Sequence, residues 1–326
     1  MINLSGKFIG NVSSSERVAD CFLYSFNVFL HMDNSWNFRL MKKLLLFFFF
    51  SLAALQLTAQ RKLVAPEIGI VQNIENDSLL HSFGFRYLVE SAQKLLSPRN
   101  VSDEQFLLRL STRKKSKVPL YACNLFIPGD LKVVGPKVDE QAVLVYVEIV
   151  FKRAKEAGLK MLIWGSGGSR GIPAGFDRNK AQEQFISIAK KIARVAAKYK
   201  ILLAFESLNK TECNFINTIP EALVISKAVG HKNFRLCIDI YHMLKEGELP
   251  NAVRGTKNYV VYCEVAEKDG RTPPGVQGDD LIPYFVALKN ENYKGKIIIE
   301  CRWHDLATQG VASFIELRRQ VDEAYK

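Results

Sequence analysis

The amino-acid sequence predicts an α/β protein with one domain, a (β/α)8 barrel of the TIM type. Three observations favour this fold. Short β-rich runs alternate with longer stretches of 3.6-residue periodicity, the short runs number eight, and the last four of them end in a carboxylate. Such alternation is typical of a parallel sheet wrapped by helices. A barrel of this kind needs roughly 250 residues, and the chain of 326 residues is long enough to form one.

The predicted strands recur on average every 33 residues or so across residues 60–326, as expected for eight βα units. In chain order they are 67–74, 87–90, 120–127, 161–165, 202–206, 235–239, 260–264 and 297–300. Apolar residues recur at helical spacing from Ala181 to Tyr199 and again from Val311 to Val321, which predicts helix faces packed on the sheet. An open doubly wound sheet is the alternative, but no Gly-x-Gly-x-x-Gly motif follows the first strand.

Composition excludes several classes of protein. With 48% hydrophobic and 24% charged residues, the chain is neither intrinsically disordered nor collagen-like nor a small disulfide-stapled domain. The formal net charge of +12 would suit a nucleic-acid partner if the cations clustered with aromatic residues on one face. The one dense basic run, Arg-Lys-Lys-Ser-Lys at 113–117, lies between two predicted elements and is interpreted as a solvated loop. We therefore expect no nucleic-acid partner.

A segment within the first 60 residues is typical of a secretory signal peptide. Met-Lys-Lys at 41–43 precedes an apolar run at 44–57 and the small-residue pattern Thr-Ala-Gln at 58–60. The run is short for a membrane span, and no Cys directly follows it that could carry a lipid. We therefore expect no stable membrane anchor. The predicted organisation is therefore an upstream extension from a mis-assigned start codon at 1–40, a signal peptide at 41–59 and the barrel at 60–326. The expected location is periplasmic or secreted.

The fifth to eighth predicted strands each end in an acid, and these four residues are here called the carboxylate ring: Glu206, Asp239, Glu264 and Glu300. The C-terminal ends of barrel strands form one face, where barrel enzymes have their active sites. Four carboxylates brought together without a cation repel one another and raise one another's pKa, so the ring predicts a bound divalent metal. The alternative is that each acid caps the next helix or pairs with an Arg.

Several motifs accompany these acids in a fixed order. They are Glu-Ser-Leu-Asn-Lys-Thr-Glu at 206–212, Asp-Ile-Tyr-His-Met at 239–243, Arg-Thr-Pro-Pro-Gly at 271–275, Tyr-Lys-Gly at 293–295 and Gly-Ser-Gly-Gly-Ser-Arg-Gly-Ile-Pro at 165–173. Together they resemble the xylose isomerase-like TIM barrels, and most of all the sugar epimerases and isomerases around D-tagatose 3-epimerase and hydroxypyruvate isomerase. The resemblance covers residues 66–303 and is strongest from Met161 onward.

The resemblance implies a role for each matching residue. Glu206 and Glu300 are expected to be metal ligands and also the paired acid/base groups on either side of the substrate carbon, and Asp239 is expected to be a further ligand. The family also suggests a homo-oligomer. The residues expected to bind substrate are Glu212 and His242, which contact its oxygens, and Arg271, which orients it.

The seventh strand departs from the family pattern. Relatives have His-x-His there and use the second His as a ligand, whereas this chain has Tyr262, Cys263 and Glu264. A carboxylate can still coordinate a divalent ion, so we expect one divalent metal held by the four members of the carboxylate ring. An all-oxygen site lacks the imidazole that favours later transition metals, which makes Mn²⁺ or Mg²⁺ more suitable than Zn²⁺.

The resemblance implies a metal-dependent sugar isomerase or epimerase with a small carbohydrate as substrate, and the carboxylate ring suits an enzyme that moves a proton next to a carbonyl through an enediolate. Return of the proton to the same carbon from the other face gives epimerisation, and return to the neighbouring carbon gives isomerisation. Trp164, beside the end of the fourth strand, is a candidate aromatic wall for the sugar ring, with core packing as the alternative.

Two other functions stay open at this stage. The missing seventh-strand His suggests a non-catalytic sugar-binding barrel. A phosphodiesterase similar to endonuclease IV has the same fold, but its chemistry needs a His-rich trinuclear zinc cluster. The four His residues that follow the signal peptide are not placed to form one.

Overall fold

The computed structural model describes residues 64–326 and, upstream of them, Lys43 alone. The predicted extension and signal peptide at 1–59 therefore lie outside the described residues, apart from that one lysine, and stay predictions. Among the residues described, no helix is both long enough and apolar enough to cross a membrane.

Eight parallel strands form a closed barrel, in which each strand pairs with its neighbours in the chain and the last strand pairs with the first. This confirms the predicted (β/α)8 fold. The strands are β1 Ile68–Val71, β2 Tyr87–Ser91, β3 Leu120–Asn124, β4 Met161–Trp164, β5 Leu202–Glu206, β6 Phe234–Asp239, β7 Val260–Val265 and β8 Ile297–Ile299.

Two strands are shorter than the sequence predicts by three residues or more. β3 ends at Asn124 because Leu125 has a left-handed φ of 51°, which an extended strand cannot contain. β1 ends at Val71, and a turn of 3-10 helix begins at Ile74. The predictions of strand at 72–74 and 125–127 were wrong because apolar residues there, such as Ile74 and Phe126, are buried without being part of a strand.

Helices surround the barrel. They are α1 Asp77–Ser82, α2 Ala92–Leu95, α3 Asp103–Arg113, α4 Glu140–Glu156, α5 Gly167–Arg170, α6 Arg178–Tyr199, α7 Ile219–Val229, α8 Ile240–Glu246, α9 Ile282–Asn290 and α10 Leu306–Tyr325, with 3-10 turns at Ile74–Asn76 and Pro250–Val253. The two apolar stripes recognised in the sequence lie on α6 and α10, as predicted. The α6 helix begins after Asp177, whose side chain accepts a hydrogen bond from the Lys180 amide, and ends at Lys200 in the left-handed conformation.

Alternation along the strands determines which residues face the barrel interior. The interior holds a cluster of eight buried side chains: Val89, Ala122, Met161, Ile163, Ala204, Cys237, Tyr262 and Ile298. Successive side chains of a strand point to opposite faces, so a residue two positions after an interior one also points inward. Four of the cluster, on β5 to β8, each lie two positions before a member of the carboxylate ring. The packing of the interior therefore points all four acids into the C-terminal end of the barrel, here called the mouth.

Trp164 does not line the mouth. It follows the interior residue Ile163, so its side chain points outward into the layer between sheet and helices and is fully buried there. Its ring packs against Phe185, at 5.0 Å between ring centroids, and against Phe205, at 6.0 Å. The prediction that Trp164 binds substrate was therefore wrong, and the alternative of core packing is confirmed.

Candidate active site

The carboxylate ring forms one compact group at the mouth. Each of its four residues offers an oxygen, and these oxygens all lie within 4.8 Å of one another. The strands that carry them are consecutive in the barrel, so Glu206 on β5 and Glu300 just after β8 occupy the two ends of the group. Asp239 and Glu264 lie between them.

Glu206 has room at the mouth because Gly165 has no side chain. A Cβ at Gly165 would lie 1.8 Å from Oε2 of Glu206, which is far inside contact distance. Gly165 directly follows β4, the strand that pairs with β5. The first glycine of the loop at 165–173 is therefore required to leave space for a candidate acid/base group.

Asp239 is placed for both roles that the sequence analysis left open, a metal ligand and a helix cap. Its Oδ1 accepts a hydrogen bond from the Tyr241 amide at 2.8 Å and so caps α8. Its Oδ2 faces the mouth, 3.4 Å from Nε2 of His242 and 3.5 Å from the Arg271 guanidinium. One oxygen begins a helix and the other stays available to a ligand.

Glu264 is anchored from the barrel interior. The Tyr262 hydroxyl donates to its Oε1 at 3.1 Å, and the Cys237 thiol lies 3.6 Å from its Oε2. Burial raises the pKa of this thiol well above its usual value, so it stays a donor. Two neutral donors therefore support the acid at the position where the family resemblance implies a histidine.

The ring carries more negative charge than the described residues neutralise. Burial, with the charges of Glu300, Glu206 and Asp239, raises the pKa of Glu264 well above its usual value. Burial also raises the pKa of Glu300 to about 7, a shift that Arg271 opposes and that Glu206 and Asp239 increase. Four converging carboxylates whose charges raise the pKa values of Glu264 and Glu300 are a donor set that a divalent cation stabilises, so these residues fit a metal ion.

His242 adds an N–H donor at the edge of the ring. Its Nδ1 accepts from the Asn209 amide at 3.2 Å, and the Asn209 side-chain nitrogen lies 2.8 Å away. Its proton is therefore on Nε2, which lies 3.2 Å from Oε1 of Glu206. Burial lowers the pKa of His242, but the charges of Asp239 and Glu206 outweigh burial and raise it to about 9. The sequence analysis missed Asn209 as a positioning residue, although it lies within the motif at 206–212.

Arg271 joins the ring to Glu212. Its guanidinium donates to Oε2 of Glu300 and lies 3.3 Å from Oε1 of Glu212. It also lies over the Tyr241 ring, 4.6 Å from the centroid. Burial opposes its charge, but the acids around it, Glu300 first, hold the pKa of Arg271 above its usual value. The structure thus brings both of these predicted substrate-binding residues to the mouth.

Asn124 is a neighbour of the ring that the sequence analysis missed. It is buried at the end of β3, and its Nδ2 donates to Oε1 of Glu300 at 2.7 Å. It lies two positions after the interior residue Ala122, so the alternation of β3 could have identified it. The signal was missed because the predicted strand ran on to residue 127, which hid the position of Asn124 at the end of β3. The pattern of strand-end residues also included only charged side chains, and asparagine is neutral.

Residues 81–321 match the family model described as xylose isomerase-like TIM barrel. The chain therefore belongs to this family, as the resemblance indicated.

Curated relatives include the D-psicose 3-epimerase of Ruminiclostridium cellulolyticum, 27% identical over 38% of this chain and 42% of that protein. Another is the L-ribulose 3-epimerase of a Methylomonas species, 29% identical over 35% of this chain and 40% of that protein. The match spans less than half the length of either relative.

Solved structures share the fold. The 3-keto-D-glucoside 4-epimerase YcjR of E. coli in its apo form has a TM-score of 0.65 at 19% identity, covering 78% of this chain and 99% of that one. The D-psicose 3-epimerase of Clostridium cellulolyticum with D-tagatose has a TM-score of 0.64 at 18% identity, covering 79% and 95%. An AP endonuclease, family 2, of Brucella melitensis has a TM-score of 0.64 at 21% identity, covering 77% and 98%.

Proposed function

We propose that this protein is a divalent-metal-dependent sugar epimerase or isomerase that moves a proton on a carbon next to a carbonyl. The observation that carries the proposal is the convergence of four carboxylate oxygens within 4.8 Å of one another, beside an N–H donor and a guanidinium. The names of the curated relatives favour a ketose as substrate and epimerisation as the outcome.

The four residues of the carboxylate ring would hold the metal. When bound, a divalent ion would polarise the substrate carbonyl and lower the energy of the enediolate. Since His242 has its proton on Nε2, it does not offer a free nitrogen to the ion. The donor set is then all oxygen, which supports Mn²⁺ or Mg²⁺ over Zn²⁺.

The remaining chemistry belongs to the side chains. Glu206 and Glu300, at the two ends of the ring, would remove and return the proton from opposite sides of the substrate carbon. The Nε2–H of His242 would donate to a substrate oxygen, and Arg271 with Glu212 would hold its hydroxyl groups. Asn124, which donates to Oε1 of Glu300, would fix the orientation of that carboxylate.

Incubation of the purified protein with Mn²⁺ and a panel of ketoses in D₂O tests this proposal. We expect deuterium to enter at the carbon next to the carbonyl, together with formation of the epimer or the aldose. Turnover without solvent deuterium would contradict a proton-transfer mechanism. A protein that binds a ketose but converts none would be the non-catalytic sugar-binding barrel instead.

A test for phosphodiesterase activity on abasic DNA addresses the second enzyme class, which shares the fold. We expect no cleavage, because His242 is the only His of residues 64–326 among the side chains that converge at the mouth. Zinc-dependent cleavage of this DNA would favour the endonuclease instead.

The sequence pattern at 41–60 further supports export, with removal of the signal peptide near Ala59. Mass spectrometry of the exported protein should find an N-terminus near residue 60, and an N-terminus before Met41 would contradict this. The resemblance to the family implies a homo-oligomer, which analytical ultracentrifugation of the same sample tests.

A further inference from the structure

The loop after β7 is organised by one buried acid. Glu267 lies two residues beyond the end of β7, and its side chain is fully buried. Within residues 64–326 it forms no ion pair with Lys or Arg. Its carboxylate instead accepts five hydrogen bonds from the following loop: from the amides of Gly275 at 2.8 Å, Gln277 at 2.5 Å, Gly278 at 2.9 Å and Asp279 at 3.3 Å, and from the Thr272 hydroxyl at 2.9 Å.

A carboxylate is suited to this task by its chemistry. It has about four lone-pair sites and no donor, so each oxygen can accept several N–H groups at once. A glutamine of the same shape would point its own NH₂ group at backbone N–H donors. The charge at position 267 therefore determines whether the loop from 272 to 279 can close around the side chain.

The same loop carries Arg271 in a conformation that needs support. Arg271 has a left-handed φ of 54°, which residues other than glycine rarely adopt and which persists only where the surroundings enforce it. On one side the Glu267 amide donates to the Thr272 carbonyl at 2.9 Å, and on the other the Arg302 amide donates to the Arg271 carbonyl at 2.7 Å. Arg271 thus directly precedes Thr272, which Glu267 contacts through both its amide and its carboxylate.

We propose that Glu267 is a positioning residue of the active site. By closing the loop on its carboxylate, it sets the backbone of Arg271 so that the guanidinium reaches Glu300 and Glu212. The consequence for catalysis rests on the function proposed above, whereas the consequence for the loop does not.

A double-mutant cycle tests the catalytic consequence. E267Q alone should lower kcat/KM for the best ketose by about 10- to 100-fold, the cost of misplacing an orienting group by about 1 Å. In the R271A background the same change should alter kcat/KM by no more than about twofold, because its effect passes through Arg271. An equal loss in both backgrounds, or no loss from E267Q alone, overturns the proposal.

The matched control is D77N. Asp77 is also an acid that closes a turn, accepting from the Ser116 hydroxyl at 2.5 Å and from the amides of Lys117 and Val118 at 2.8 Å, but it lies near the start of β3 and not at the mouth. We expect D77N to lower the melting temperature and to leave kcat/KM unchanged. A comparable loss of kcat/KM in D77N would mean that the effect of E267Q is a general structural one, which overturns the proposal.

Hydrogen exchange separates failure of this inference from failure of the proposed function. In E267Q, the amides of Gly275, Gln277, Gly278 and Asp279 should exchange at least tenfold faster than in the wild type, whether or not any ketose is converted. Unchanged exchange overturns the proposal even if the protein is an active epimerase. If E267Q does not fold, T272V removes one donor to the intact carboxylate and takes its place in both experiments.

Discussion

Replacement of Gly165 by alanine is expected to disable the site while the barrel stays folded. The added Cβ would lie 1.8 Å from Oε2 and 2.9 Å from Cδ of Glu206, whereas real Cβ contacts essentially never fall below 3.0 Å. The carboxylate oxygen must therefore retreat by about 1.2 Å, and displacement of a catalytic group by about 1 Å can cost on the order of 10²-fold in rate. Because the crowded atoms are the far end of a flexible side chain, the barrel can absorb the change.

The matched control is Gly171→Ala in the same loop. Gly171 has φ −55° and ψ 135°, which alanine readily adopts, and its added Cβ would meet no atom closer than 3.6 Å. Both variants replace one glycine by alanine and so restrict the unfolded chain to a similar extent. Gly171→Ala should keep the wild-type rate.

The assay is ketose turnover at saturating Mn²⁺, with circular dichroism to confirm folding and calorimetry to measure Mn²⁺ affinity. We expect Gly165→Ala to lose about 100-fold in kcat/KM and Gly171→Ala to lose none. If Gly165→Ala retains wild-type turnover, Glu206 is not used where the structure places it. If both variants lose equally, the loop and not the carboxylate is responsible.

Three further predictions follow from the site and its surroundings. Asp239→Asn keeps an oxygen for the α8 cap but loses Oδ2 at the mouth. Loss of a residue that only supports a metal ligand costs roughly 10- to 100-fold in metal affinity, so calorimetry should show Mn²⁺ affinity falling by at least that factor. An unchanged affinity would mean that Asp239 is not a ligand. At saturating Mn²⁺, Glu206→Gln and Glu300→Gln should each slow deuterium entry about 10²- to 10⁴-fold while a ketose still binds, and full exchange in either variant would assign the proton transfer to another group. Burial raises the pKa of Glu248 to about 7, so between pH 4.5 and 7 this side chain ionises in the unfolded chain but keeps its proton in the folded protein. As the pH rises over this range, the wild type should therefore lose thermal stability relative to Glu248→Gln. A difference in melting temperature that does not depend on pH would refute the shift.

The fold and the carboxylate ring could be predicted from sequence because each depends on local patterns. Strand periodicity identifies the eight units, and an acid at the end of an apolar run is placed at the mouth by parallel topology alone. The prediction for Trp164 failed because its orientation depends on which residues of β4 face the barrel interior. All four residues of β4 are apolar and buried, so the sequence does not distinguish the inward from the outward face.

The contacts that hold the site in place could not be predicted, because most of the partners are distant in the chain. Asn124 meets Glu300 across 176 positions, and Asn209 meets His242 across 33. Glu267 is closer to its partners, but nothing in the local pattern distinguishes an acid buried by five donors from an acid exposed to solvent. The contacts of Asn124 and Asn209 appear only when the barrel brings residues of different βα units to one end.

The environment of Glu264 bears on whether this barrel is catalytic or only binds sugar. Glu264 is fully buried, and a buried acid without hydrogen-bond donors is costly. An acid that had arisen here by neutral substitution would not be expected to have such donors. Here Tyr262, two positions before it on the same strand, and Cys237, on the neighbouring strand, both direct a donor at its carboxylate. Three positions on two strands therefore suit a carboxylate at the place where the family resemblance implies a histidine. That arrangement supports an active site rebuilt around an oxygen ligand over a site that has decayed into a sugar-binding surface.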